Sequence, residues 1–246
     1  MPFENKTLFS MLILSIAMIC QPALLRADIV VYSNITNFTG TALANGGAEL
    51  QGTNTITRML LDDLTLAYSP SYGDLKNFTF SVANLNTTTV SARARIRFFN
   101  DNGSNAPGTY LLGFTTLPIS LAASSVALFS SNVNVAFAAN QKIWAGITFD
   151  DNNGTTGATL AQMNNLGVGL YDAPTLGSSA DQFFLTTAAG SFASISNPAG
   201  SIITGSGNPR YNAGWAITTS VPEPGALSLL MVCGLAASCG VRRRLA

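Results

Sequence analysis

Four groups of side chains in this chain have the types and spacing for chemistry. Phe99-Asn100-Asp101-Asn102-Gly103-Ser104-Asn105-Ala106-Pro107-Gly108 sets acid and amide oxygens beside a turn glycine, and Phe149-Asp150-Asp151-Asn152-Asn153-Gly154 does the same. Calcium takes about six to eight such oxygens in a flexible array, so Asp101, Asp150 and Asp151 are candidate ligands of a structural calcium ion. Neither run has the order of an EF-hand loop, and ordinary Asx and glycine turns use the same residues. Asp62-Asp63 is a third acidic pair, set inside an apolar run with no turn glycine. Arg93, Arg95 and Arg97 alternate with Ala92, Ala94, Ile96 and Phe98, which puts three guanidinium groups on one face of a strand. Such a stripe reads as a solvated sheet face, or alternatively as a strip for anionic sugars.

What is missing narrows the chemistry further. The chain has no His and three Cys, at positions 20, 233 and 239. The stretch between Asp28 and Ser220 therefore lacks thiol and imidazole. It has no ordinary ligand set for zinc, copper, haem or iron–sulfur clusters, and no Ser-His-Asp or Cys-His nucleophile. Its seven Lys and Arg face ten Asp and Glu, a mildly acidic balance that opposes nucleic-acid binding. A glycosidase needs two facing carboxylates about 5–10 Å apart, and adjacency in sequence does not supply that geometry. Tyr68, Tyr72, Trp144, Tyr171 and Trp215 could stack on sugars, although Trp144 and Trp215 lie in apolar strands that favour core packing.

The segments flanking this body are address-like. Lys6 precedes the apolar stretch Leu8–Ile19, which has the length of a signal-peptide core and is too short to favour a span. Ala27 is a small residue suited to cleavage before Asp28, so residues 1–27 read as a signal helix removed by signal peptidase. At the other end, Val221-Pro222-Glu223-Pro224 precedes an apolar run from Gly225 to Val241, followed by Arg242, Arg243 and Arg244. That run is at the short limit of a membrane helix, and the arginines after it favour a cytoplasmic stub. The prolines keep the preceding backbone extended and accessible to a processing enzyme.

This order of parts resembles the PEP-CTERM sorting signal. The resemblance covers residues 221–246 and implies recognition by an exosortase-type transpeptidase, with cleavage near Pro222, Glu223 and Pro224. It also implies a Gram-negative-type envelope, transient anchoring in the inner membrane, and association with exopolysaccharide or biofilm matrix.

Between the two ends no long helical periodicity appears. Short β-branched and aromatic runs recur, broken by Gly, Asn, Asp and Pro. They predict strands over 29–33, 55–61, 78–83, 90–99, 110–117, 125–131, 142–149, 167–171, 181–187 and 213–219. Residues 28–220 are thus expected to form an all-β domain, an antiparallel β-sandwich of jelly-roll type. Asp101-Asn102-Gly103 with Pro107-Gly108, and Trp144-Ala145-Gly146-Ile147, resemble motifs of the choice-of-anchor extracellular domains of R type. That resemblance brings no catalytic residues. The expected function is that of an exported, non-catalytic surface or matrix protein. A carbohydrate-binding module is the alternative, and a glycosidase or lyase is the third reading. No cofactor is expected beyond the candidate calcium ion.

Overall fold

Alternation of buried and exposed side chains decides this architecture. In the stretch Ser91–Phe98 the residues Ala92, Ala94, Ile96 and Phe98 are fully buried, while the arginines between them face away. A strand that alternates in this way must set one face against another apolar layer. The computed structural model describes residues 26–44, 48–50, 55–56, 58–68, 73–152, 154–186, 196–207 and 210–222.

In chain order the strands begin with β1 (Arg26–Ser33), β2 (Phe38–Ala44), β3 (Ala48–Leu50), β4 (Thr55–Ile56) and β5 (Leu60–Thr65). Next come β6 (Gly73–Asn84), β7 (Val90–Asp101), β8 (Pro107–Thr115), β9 (Ile119–Leu121), β10 (Ser125–Phe137) and β11 (Lys142–Asp150). A single turn of helix, α1 (Leu160–Asn164), precedes β12 (Leu166–Tyr171), β13 (Gln182–Thr186), β14 (Gly200–Thr204) and β15 (Trp215–Pro222).

The strands form two sheets. One runs β1-β15-β6-β12-β2, with β10 along the other edge of β6. The second runs β14-β13-β5-β11, continues through β7 to β8 and β9, and takes the short β3-β4 ladder at the end of β11. The ladders that β6 makes with β10, β12 and β15 and that β11 makes with β5 and β7 are antiparallel, whereas the two-residue β3–β11 pair is parallel. β6 ends at Asn84 and β7 begins at Val90, so the chain passes from one sheet to the other through a short turn.

The sheets pack face to face. Phe78 on β6 meets Phe98 on β7 edge-on, with ring centroids 5.0 Å apart, and stacks on Trp215 at 5.4 Å. Around them Leu60, Leu64, Ile96, Ile143, Ile147 and Phe183 of one sheet share a core with Val31, Phe80, Val82, Val168 and Ile217 of the other. The described residues are therefore almost entirely β, built of two antiparallel sheets. The expected signal and transmembrane helices fall outside the described residues.

Ten of the expected strands correspond to strands here, with differences that have physical causes. The expected strand 55–61 is split, because β4 ends at Ile56 and β5 begins at Leu60. β2, β3, β9 and β14 were not expected. β2 and β14 carry Gly and Thr in place of an apolar alternation, and they hold their place by ladder bonds to β12 and β13. Five residues of α1 are too few to leave a periodic trace. They are held by a capping box, in which the Gln162 N–H donates to Thr159 Oγ1 (3.2 Å) and the Thr159 N–H donates to Gln162 Oε1 (2.9 Å).

Candidate functional site

The strand β5 carries the acidic pair to two different environments. Successive side chains on a strand point to opposite faces, so Asp62 enters the main core with Leu60 and Leu64, while Asp63 goes to the opposite face with Leu61.

Asp62 is fully buried. Its Oδ2 accepts from the Trp215 indole N–H (3.0 Å) and the Ala213 backbone N–H (2.8 Å), and its Oδ1 accepts from the Ser179 hydroxyl (3.1 Å). Trp215 belongs to the opposite sheet, so this carboxyl bonds one layer to the other. Burial pushes its pKa well above the usual carboxylate value, the neighbouring Asp63 charge adds to that, and the three donors work against it. The Tyr32 hydroxyl is buried beside this group. Its ionisation is pushed far up, by burial first and by the Asp62 charge second.

Asp63 belongs to a polar cluster on the other face of the same sheet. The register sets Asp63 beside Trp144 on β11. Trp144 in turn pairs with Phe99 on β7, so Asp101, two residues further along β7, comes to the start of β11, where Lys142 stands. The Lys142 ammonium lies 3.5 Å from Asp101 Oδ2 and 3.8 Å from Asp63 Oδ2, and it donates to Asn105 Oδ1 at 2.6 Å. The Trp144 indole N–H donates to Asp101 (2.9 Å), and the Ala180 N–H donates to Asp63 (3.2 Å). Asn105 and Gln182 exchange amide bonds, each of 3.1 Å. Below lies a small apolar cluster of Met59, Leu61, Phe99, Trp144 and Phe184. Burial raises the pKa of Asp63, and the Lys142 charge opposes the rise. Two carboxylates thus share one ammonium. A glycosidic oxygen placed between them would have to take the ammonium's position.

The candidate calcium residues do not come together. Asp150 pairs with Arg93 at one end of the β7–β11 ladder, and Asp101 lies past the other end. Eight residues along a strand span about 26 Å. The carboxylates of Asp101 and Asp150 are met by protein donors. Asp101 accepts from Gly103 N–H (2.8 Å) as well as from Trp144, and Asp150 accepts from Arg95 Nε (2.7 Å) and the Asn152 N–H. Asp151 offers its backbone carbonyl to Thr156, from both the N–H and the hydroxyl. Among the described residues no group of three or more His, Cys, Asp or Glu side chains is placed to hold a metal ion.

The arginine stripe shares one face, as its spacing predicts, but that face is less solvated than expected. Arg97 is only 8 % exposed. It lies over Gly113 of β8, where a Cβ would stand 2.5 Å from the Arg97 Cδ, so the missing side chain is the space the arginine fills. Arg95 pairs with the buried Asp150. Arg93 donates to the Thr116 carbonyl (3.0 Å) and to the Asn152 side chain. These cations are bonded within the protein rather than presented as a strip for anionic sugars. Trp144, Trp215 and Tyr171 are buried, while Tyr68 is exposed. Tyr72 lies outside the described residues.

Of the sorting residues, Pro222 closes β15. Glu223, Pro224, Arg242, Arg243 and Arg244 lie outside the described residues, as do the apolar run and the segment before Arg26. Among the described residues no helix is long and apolar enough to cross a membrane.

No family model matches this chain, and no curated protein does. The functional reading therefore rests on its own residues. The Lys142 cluster was not legible as a site, because its members are spread from position 63 to position 182. One signal pointed toward it: two carboxylates inside an apolar strand must find donors when buried.

Proposed function

We propose that this chain is an exported, non-catalytic surface or extracellular-matrix protein, sorted by an exosortase-type system and associated with exopolysaccharide or biofilm. The observation that carries the reading is the order of parts at the C-terminal end: Pro222-Glu223-Pro224, an apolar run, then Arg242, Arg243 and Arg244. A bare membrane anchor needs no Pro-Glu-Pro, whereas a processing enzyme needs an extended, exposed strip. In support, β15 ends on Pro222, the first residue of the triplet. A proline has no N–H to donate to a ladder, which suits a boundary between the body and an extended recognition strip.

On this reading residues 28–220 are a jelly-roll-like sandwich that acts as a scaffold. Arg95 is paired with Asp150, and Lys142 with Asp63 and Asp101, which suits a rigid, hydrated module. Sugar binding is the lesser reading, because the two tryptophans that could stack on sugar rings are buried in the protein.

The test is expression of the full chain in a Gram-negative host with and without an exosortase-type transpeptidase. The expected product is shorter and leaves the inner membrane only in the strain that has the enzyme. A full-length, membrane-held product in both strains would overturn the sorting proposal.

A further inference from the structure

We propose that Lys142 and Asn105 become joined by an intramolecular amide bond between their side chains, formed by the folded domain itself. This goes beyond the sorting proposal and does not depend on it.

The reacting groups are already in contact. Lys142 Nζ stands 2.6 Å from Asn105 Oδ1. A C=O bond is about 1.23 Å long, so Nζ lies within about 3.8 Å of Cγ. That is close to the separation of about 3–3.5 Å at which oriented groups react. The nitrogen needs only to move from hydrogen-bond contact with Oδ1 to a position over the amide carbon.

The amide is held for attack. Asn105 has a backbone φ of 58°, a left-handed conformation that fixes the direction of its side chain. Its Nδ2 donates to Gln182 Oε1 at 3.1 Å, and Gln182 Nε2 donates to Asn105 Oδ1 at 3.1 Å. Gln182 is buried at the start of β13. Its donated N–H polarises the Asn105 carbonyl and meets the negative charge that develops on Oδ1 as the tetrahedral intermediate forms.

Proton carriers are in place too. Asp101 Oδ2 and Asp63 Oδ2 are within 3.5 Å and 3.8 Å of Nζ. Asp63 is buried, and burial favours its protonated form. The step balances as follows. One proton passes from the Lys142 ammonium to Asp63, which frees the Nζ lone pair. That pair attacks Cγ and the Nζ–Cγ bond forms. A second proton leaves Nζ, the carboxylates deliver both protons to Nδ2, and the Cγ–Nδ2 bond breaks. One ammonium and one carboxamide become one amide and one ammonium ion. No oxidant, metal or cofactor takes part.

The bond has a structural use. The Cys residues of the chain, at 20, 233 and 239, leave the body without a thiol, so no disulfide can brace it. An amide between Lys142 and Asn105 would tie the loop between β7 and β8 to the start of β11.

The test is chymotryptic digestion of the purified full chain followed by mass spectrometry. Tyr110, Phe114, Phe129 and Phe137 lie between the two residues, so cleavage separates them unless they are cross-linked. The expected result is a branched peptide joining Lys142 to Asn105, lighter by one ammonia than the sum of its parts. Trypsin should fail to cut after Lys142. Lys142→Arg and Asn105→Ala should each give only unbranched peptides, and Asp63→Asn should lower the branched fraction. Unbranched peptides from the unaltered chain would overturn the proposal, and that measurement does not depend on any variant folding. A branch from Lys142 to Asp63 or Asp101, lighter by one water, would overturn it as well.

Discussion

Asp62 stands where its neighbours on β5 would place a leucine, and that position sets its behaviour. Its carboxyl receives three donors and, among the described residues, no cation pairs with it, so burial dominates. The titratable groups that act on it are Asp63, next along the same strand, and Tyr32 from β1. Both carboxyls have raised pKa values in the folded state, so the native protein binds protons more tightly than the unfolded chain. Their favourable contribution is complete below the ordinary carboxylate value of 3.8 and is lost as pH rises through the raised folded values. We expect the melting temperature to fall as pH rises above that value toward neutrality. Asp62→Asn should flatten this fall and raise the melting temperature at neutral pH. A profile unchanged by Asp62→Asn would show that Asp62 titrates normally. Trp215→Phe leaves the carboxyl one donor short in a dry site and should cost about 1–3 kcal/mol by denaturant unfolding.

At the scale of elements, the β7–β11 ladder organises both polar groups. It carries Asp101 and Lys142 to one end, Arg93 and Asp150 to the other, and a buried Phe99–Trp144 pair near the first end. The loops at its two ends satisfy their own carboxylates. In the first, Asp101 Oδ1 accepts from the Gly103 N–H and Asn102 Oδ1 from the Ser104 N–H, two successive Asx turns. A calcium ion in either loop would have to displace donors already in place. EDTA is therefore expected to leave the melting temperature unchanged. A drop on chelation, reversed by added calcium, would establish an ion bound by the native state. Gly113→Val should destabilise the domain, because its side chain would occupy the space filled by Arg97, and Arg97→Ala in the same chain should recover part of the loss.

For the whole molecule, stability comes from the layer between the sheets. Phe78 contacts Phe80, Phe98, Phe114 and Trp215, taking in rings from both sheets. Phe78→Ala should therefore cost about 3–5 kcal/mol, read as a shift in the urea midpoint with little change in slope. The sorting proposal makes a separate prediction. Replacing Arg242, Arg243 and Arg244 by neutral residues should remove the charge that holds the stub in the cytoplasm. Full-length product should then accumulate even with the exosortase-type enzyme present, as seen by mass and fractionation.

Much of the fold was legible because strand patterning is local. Alternation such as Ala92-Arg93-Ala94-Arg95-Ile96-Arg97-Phe98 states both the element and its buried face without reference to anything distant. The C-terminal order of triplet, apolar run and arginines is likewise contiguous, and so is the absence of His and Cys from the body. β2 and β14 were not legible, since their bonds come from partners more than a hundred residues away or across a long loop and their side chains add little pattern. The polar sites were not legible for the same reason. Asp62 and Asp63 read as one acidic pair, yet the pleat sends one into the core and the other to the opposite face. Asp101 and Asp150 looked alike as loop acids, yet antiparallel register separates them by the length of a strand. Which donors meet a buried charge depends on chain segments brought together only by sheet pairing. The Lys142–Asn105 contact, built from β11, the loop after β7 and the buried Gln182 of β13, was therefore decided by the tertiary structure alone.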